Sequence, residues 1–286
     1  MAKILTNREN LLKYGYCIIR NLLSNKEVER ARSMINKIYE KNGKTCNWDM
    51  YNYKESWEFF TTDRLLNIVK NLLGPEIFYL HTCATRRENE KDIQYSWHRD
   101  NPCRLFGKGA NWDKKEPYNV LSLIIYLSSS ETTGSGINLI PFSHKKTYTL
   151  SNIFRVLHFK TKFISLLKNI RDLFPKYLVG VNIKTEPGDC VIFLANLLHT
   201  GIPTRGLRKA IVFQYGVDNK HSRNFVNYYM HHRKQIEYET KYKDKINEFF
   251  NFLKSKNIYY PLPETKSEIK GVIVPKIVKI VNWWEF

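Results

Sequence analysis

Trp97-His98-Arg99-Asp100 sets a histidine and an aspartate two positions apart. On an extended segment residues i and i+2 share a face, so an imidazole nitrogen and a carboxylate oxygen can converge on one cation. A third ligand must come from elsewhere. The best candidate is His199, which follows the apolar run Cys190-Val-Ile-Phe-Leu-Ala-Asn-Leu-Leu198 and is read as the end of that strand. Two neutral imidazoles and one carboxylate on one face of an octahedral ion leave three adjacent positions open, as non-haem Fe(II) oxygenases require for a co-substrate and O₂. Zinc is more often held tetrahedrally with a single open position. Downstream, Thr200-Gly-Ile-Pro-Thr-Arg205-Gly-Leu-Arg208 reads as a loop returning into a strand. Arg208 at the start of that strand can fork bidentately onto a carboxylate, the second anchor that a keto-diacid such as 2-oxoglutarate needs. Arg205 competes for the role. With eight histidines in the chain, an HxD pair alone is a weak motif.

The elements that must position these residues are mostly strands. Tyr16–Ile19 is a short strand, and 77–85, 120–127, 136–140, 179–184, 190–194 and 210–215 are β-branched or aromatic runs separated by Gly, Pro, Ser or Asn. Many short strands without alternating helices indicate a sandwich or jelly roll rather than a parallel sheet. Ser24-Asn-Lys-Glu27 is a capping box, and Val28, Ala31, Met34, Ile35 and Ile38 behind it recur at helical spacing. A second helix spans 63–73 and stops at Gly74-Pro75. A lysine-rich helical insert is expected over 151–178 and a helical extension over 224–286, closing on Asn-Trp-Trp-Glu-Phe. With no internal repeat and no low-complexity linker, residues 1–286 are read as one domain with its core over about 11–216.

The 286 residues are 43% hydrophobic and 14% aromatic, which excludes a disordered chain. No stretch is long and apolar enough for a membrane span, and no secretory leader is visible. The five cysteines are scattered without a CxxC pair, against both a disulfide framework and a thiolate zinc site. A cytoplasmic location is expected. The formal charge of +19 is spread along the whole chain, and no nucleic-acid-binding module accompanies it. Such a spread of lysines is what compositional bias alone gives; where it does mark a partner, an anionic small molecule or an anionic membrane surface is expected, not nucleic acid.

Taken in order, these segments form a pattern. Gly15-Tyr-Cys-Ile-Ile-Arg-Asn-Leu-Leu-Ser-Asn-Lys-Glu-Val is followed by His98-Arg-Asp100, then by Leu123-Ile-Ile-Tyr-Leu and Gly136-Ile-Asn-Leu-Ile-Pro-Phe-Ser-His144. Pro187-Gly-Asp-Cys-Val-Ile-Phe, His199 and Arg208 complete it. The chain resembles the phytanoyl-CoA dioxygenase (PhyH) family over roughly residues 11–216. The resemblance implies a β-rich α+β fold, a double-stranded β-helix (jelly roll, cupin-like) with flanking helices. It also implies an Fe(II)-dependent dioxygenase with 2-oxoglutarate and O₂ as co-substrates, hydroxylating an unactivated C–H and releasing CO₂ and succinate.

By position, His98, Asp100 and His199 match the iron ligands, and Arg208 matches the arginine gripping the distal carboxylate of 2-oxoglutarate. Ser122, on the strand facing the metal in this reading, is either a hydrogen-bond donor to the co-substrate or plain core polarity. His144 is structural, and a retained Asp100 argues against halogenation. The loop after Asp100, with Arg104, Lys108, Trp112, Lys114 and Lys115, mixes cations and aromatics at the expected pocket mouth. It suits an anionic or sugar-bearing metabolite, free or carrier-linked, and the basic insert and Trp-Trp tail suit peripheral contact with anionic lipid. The competing classes are a non-catalytic binding protein on a degenerate double-stranded β-helix and a zinc hydrolase using the same three ligands.

Overall fold

The computed structural model describes residues 6–47, 50–88, 98–100, 117–145, 180–223, 225–226 and 243–259. The 101–115 loop, the 151–178 insert and the 271–286 tail lie outside the described residues. Of the C-terminal extension, a helix over Lys243–Ser255 is described.

Val120-Leu-Ser-Leu-Ile-Ile-Tyr126 (β4) is buried at every position and apolar save for Ser122, as suits a strand covered on two sides. It lies inside a sheet built from β1 (Tyr16–Ile19), β3 (Ile77–Arg87), β4, β7 (Cys190–Leu194), β9 (Arg208–Gly216) and β10 (Ile258–Tyr259), ordered β1-β7-β4-β9-β3-β10, with β2 (Cys46–Asn47) also on β3. All these pairings are antiparallel except β10 with β3. A second sheet holds β5 (Gly136–Leu139), β6 (Val181–Ile183) and β8 (His199–Ile202) in the order β6-β5-β8.

Side-chain alternation divides the core in two. Leu121, Leu123, Ile125, Ile211, Phe213 and Tyr215 face outward and meet Val28, Ala31, Met34, Ile35 and Ile38 of helix α2 (Asn25–Asn42). Both parts of the Ser24–Glu27 capping box form, and Gly43 ends the helix in the left-handed conformation. Ile124, Tyr126, Val191, Phe193 and Ala210 face inward, against Ile137, Leu139 and Ile183 of the smaller sheet. The site opens on this inner face.

The structure adds a helix ahead of the first strand and departs from the sequence reading at two places, β10 inside the extension expected to be helical and the end of β7. Residues 7–14 form a helix, α1 (Asn7–Tyr14), begun by a Thr6–Glu9 capping box. At its end Gly15 has φ +88°, and a Cβ there would fall 2.5 Å from both His144 Nδ1 and Leu197 Cδ1. The strand expected to run from Cys190 into His199 stops at Leu194. Leu197 N–H donates back to Leu194 O (2.7 Å), a turn containing Asn196, and the chain crosses to the smaller sheet where His199 opens β8.

Buried Asp189 ties the β7 entry to β1. Its carboxylate accepts from Asn21 N–H (3.0 Å), Glu186 N–H (2.9 Å) and Arg20 Nη1 (2.6 Å). Asp189→Ala strands two main-chain donors and should lower stability by about 2–4 kcal/mol. The check is a denaturant midpoint that falls while the slope of the transition is unchanged.

Candidate metal centre

His98 and His199 are held by each other's backbone. His98 N–H donates to His199 O (2.8 Å) and His199 N–H to His98 O (2.9 Å), an isolated antiparallel bridge that puts both imidazoles on one side with ring centroids 4.2 Å apart. Asp100 N–H donates to Ala195 O (2.7 Å), fastening the next turn of chain to the crossing after β7. Between the two, buried Arg99 points away and donates through Nε to Asn196 O (2.7 Å) and through Nη2 to Ser143 O (3.0 Å). His98 and Asp100 therefore face one point while Arg99 anchors the strip that carries them.

Asp100 Oδ1 lies 3.5 Å from His98 Nε2 and 3.6 Å from His199 Nε2. These separations exceed normal hydrogen-bond lengths but suit donors that share one small cation. Among the described residues this is the one group of three His, Cys, Asp or Glu side chains whose donor atoms lie within 4.8 Å of one another.

Each donor is also oriented. His199 Nδ1 sits 3.0 Å from Leu197 O; a carbonyl only accepts, so Nδ1 carries the proton and Nε2 presents its lone pair inward. The ring packs on Phe193, 4.7 Å between centroids. Ser122 Oγ donates to Asp100 Oδ2 (2.9 Å), leaving Oδ1 turned toward the histidines. Burial opposes the charge on Asp100, but positive charge at the inward His199 and His98 nitrogens, where a proton or a cation would sit, outweighs it and holds its pKa well below the usual carboxylate range. An ionised carboxylate and two inward nitrogens are the donor set a divalent ion of the iron type accepts.

Arg208 begins β9 and is buried on the same inner face, its guanidinium 5.6 Å from the Tyr126 ring. Arg208 Nε and the Tyr126 hydroxyl are both buried without a hydrogen-bond partner. Two adjacent donors in that state are what a carboxylate would satisfy. Tyr126 is four residues from Ser122 on β4, about 13 Å along the strand, a gap that a keto-diacid and an arginine side chain can span together. Arg205, the competing arginine, is exposed in the loop with its methylenes beside Gly134. His144 stays outside the cluster, its Nε2 3.4 Å from Leu12 O.

The sequence reading missed Tyr126 and Gln214. Both are identified only by register: Tyr126 pairs with Ala210, and Gln214 lies opposite Ser122 on the inner face, its Oε1 buried and unpartnered.

Fold and site together define an oxygenase built on a double-stranded β-helix. The family model for phytanoyl-CoA dioxygenase (PhyH) matches residues 11–210, and the chain belongs to that family: it is a 2-oxoglutarate-dependent non-haem iron oxygenase. No match is found among curated protein sequences.

Solved structures share the fold. HygX from Streptomyces hygroscopicus, solved with nickel and 2-oxoglutarate, is 18% identical with a TM-score of 0.55, over 76% of this chain and 88% of its own. EctD from S. alaskensis with bound Fe is 15% identical with a TM-score of 0.54, over 73% and 74%. The alpha-ketoglutarate-dependent carbocyclase SnoK from nogalamycin biosynthesis is 15% identical with a TM-score of 0.55, over 74% and 83%.

Among the described residues no helix is long and apolar enough to cross a membrane.

Proposed function

We propose that His98, Asp100 and His199 hold Fe(II), that Arg208 and Tyr126 seat 2-oxoglutarate, and that the enzyme hydroxylates an unactivated C–H of a small or carrier-linked anionic metabolite. The observation that carries this reading is the shared inner face: three metal donors at one end, two unpartnered carboxylate donors at the other. Bound iron supplies activation of O₂ coupled to decarboxylation of the keto acid. The protein supplies position. His98 and His199 offer Nε2, Asp100 offers Oδ1, and Ser122 fixes the carboxylate's rotation. The Arg208 guanidinium forks onto the distal carboxylate while the Tyr126 hydroxyl donates a third bond. Phe193 over His199 keeps one flank dry. Gln214 Oε1 offers an acceptor to a hydroxyl or N–H group on the substrate. The anionic character of the substrate rests on the +19 charge of the chain.

The test is oxygen uptake and succinate formation by purified protein supplied with Fe(II) and 2-oxoglutarate. Turnover that needs both supports the reading. Protein that takes up iron but neither binds nor decarboxylates 2-oxoglutarate overturns it and favours the binding protein. A finer test concerns Ser122. Ser122→Ala is expected to weaken iron binding about ten- to a hundred-fold, as loss of a ligand-orienting partner does. Anaerobic titration of the metal measures it, with the KM for 2-oxoglutarate unchanged at saturating iron.

A further inference from the structure

Lys209 follows Arg208 on β9 and points to the opposite side of the sheet. Only 7% of the residue is exposed, and its backbone is clamped: Lys209 N–H donates to Ser128 Oγ (3.2 Å) and its carbonyl accepts from Leu127 N–H (3.0 Å). Buried lysines are ordinarily paired. Here the nearby cations are matched and Lys209 is not. Arg32 contacts Glu29, while Arg86 lies 3.8 Å from Glu88 and stacks on Tyr39. Among the described residues no carboxylate lies within ion-pair distance of the Lys209 ammonium. Burial first, then the charges of Arg86 and Arg32, lower its pKa from the usual lysine value; Glu29, beyond ion-pair distance and in contact with Arg32, opposes them only in part.

The Lys209 side chain lines a surface cavity of about 410 Å³ together with Arg32, Ser128, Thr132, Thr133 and Leu207. The hydroxyls there have spent their protons: Ser128 on Leu207 O (3.1 Å), Ser129 on the Glu186 carboxylate (3.0 Å), Thr132 and Thr133 on Ser129 O (3.3 and 2.7 Å). Arg32 gives Nε to Leu127 O (2.7 Å) and Nη1 to Glu29, which leaves Nη2. The remaining donors of the cavity are thus both cationic. We propose that this cavity binds the phosphate group of a small metabolite between the Lys209 ammonium and the Arg32 guanidinium. The volume exceeds what a phosphate alone fills, so the rest takes the body of the molecule. The site lies at the Arg208 end of the sheet, on the side opposite the Arg208 guanidinium, and does not depend on the assignments made at the metal centre.

The experiment is a thermal-unfolding titration of the full chain with inorganic phosphate against sodium chloride of matched ionic strength. Ligand that binds only the folded state raises the midpoint with saturating dependence. A rise of a few degrees by about 20 mM phosphate is expected. Lys209→Met should lose this response and, in chloride, melt no lower than wild type, because an unpaired buried charge has been replaced by an apolar chain of similar length. Arg32→Gln, at a partly exposed helical position, should weaken the response and tests the site should Lys209→Met fail to fold. A wild-type midpoint that does not distinguish phosphate from chloride overturns the proposal, as does an undiminished response in both variants.

Discussion

Asp100→Ala is expected to reduce iron- and 2-oxoglutarate-dependent oxygen uptake to background, with iron no longer retained through gel filtration. Of the three donors, the carboxylate is the one carrying a formal charge, and it stays ionised although buried. Its removal leaves two imidazoles and strands the Ser122 hydroxyl. Loss of a mere orienting partner costs about ten- to a hundred-fold, so loss of the ligand should exceed that. The same outcome is expected for His199→Ala, and the test is clean because the bridge between His98 and His199 is made by backbone atoms. An alanine at either position keeps both hydrogen bonds, so the far-ultraviolet spectrum should not change. Asp100→Glu gives the finer comparison. It retains the charge but moves the oxygens by a methylene, and a displacement of about 1 Å can cost a hundred-fold in rate. Wild-type turnover by any of these variants with iron bound would take that residue out of the ligand set.

Arg208→Met is expected to raise the KM for 2-oxoglutarate far more than it lowers iron affinity. Truncating one member of a buried, hydrogen-bonded charge pair costs about 2–5 kcal/mol, roughly thirty-fold to a few thousand-fold in binding. Methionine fills much of the same volume, so the Tyr126 side of the pocket should not collapse. Tyr126→Phe removes one neutral donor and should cost only about ten-fold. A titration of 2-oxoglutarate under nitrogen separates this loss from any effect on chemistry. If Arg205→Met produced the larger change, the exposed loop arginine would be the anchor and the inner-face assignment would fail.

How far the site can be read from the chain depends on which contacts are local. The i, i+2 placement of His98 and Asp100 is a property of extended backbone, so it is visible in four letters. The apolar stripe of α2 and its capping box are equally local, and so is the Thr6-Asn-Arg-Glu9 box that begins α1. His199 is another matter. Its distance from His98 along the chain carries no geometric information, and only the order of the segments pointed to the pairing. The break at Leu194 was hidden because Ala195-Asn-Leu-Leu198 continues the apolar run, while a jelly roll needs the chain to change sheets there. Tyr126, Gln214 and the Ser122–Asp100 bond depend on which residue of β9 stands opposite which residue of β4. A one-residue slip would reverse every one of them.

The bridge between His98 and His199 joins positions 101 residues apart, by subtraction of their numbers. Contacts of such long sequence separation form late, after the intervening loops have lost their freedom. The cation pocket therefore has no precursor in any early, locally ordered stretch of chain. If this trio holds the metal as proposed, its capture would report that assembly has finished, and the binding energy would be credited wholly to the native state. Ferrous ion so held would act as a clasp fastened after the garment is on, and stripping it should speed unfolding more than it slows folding.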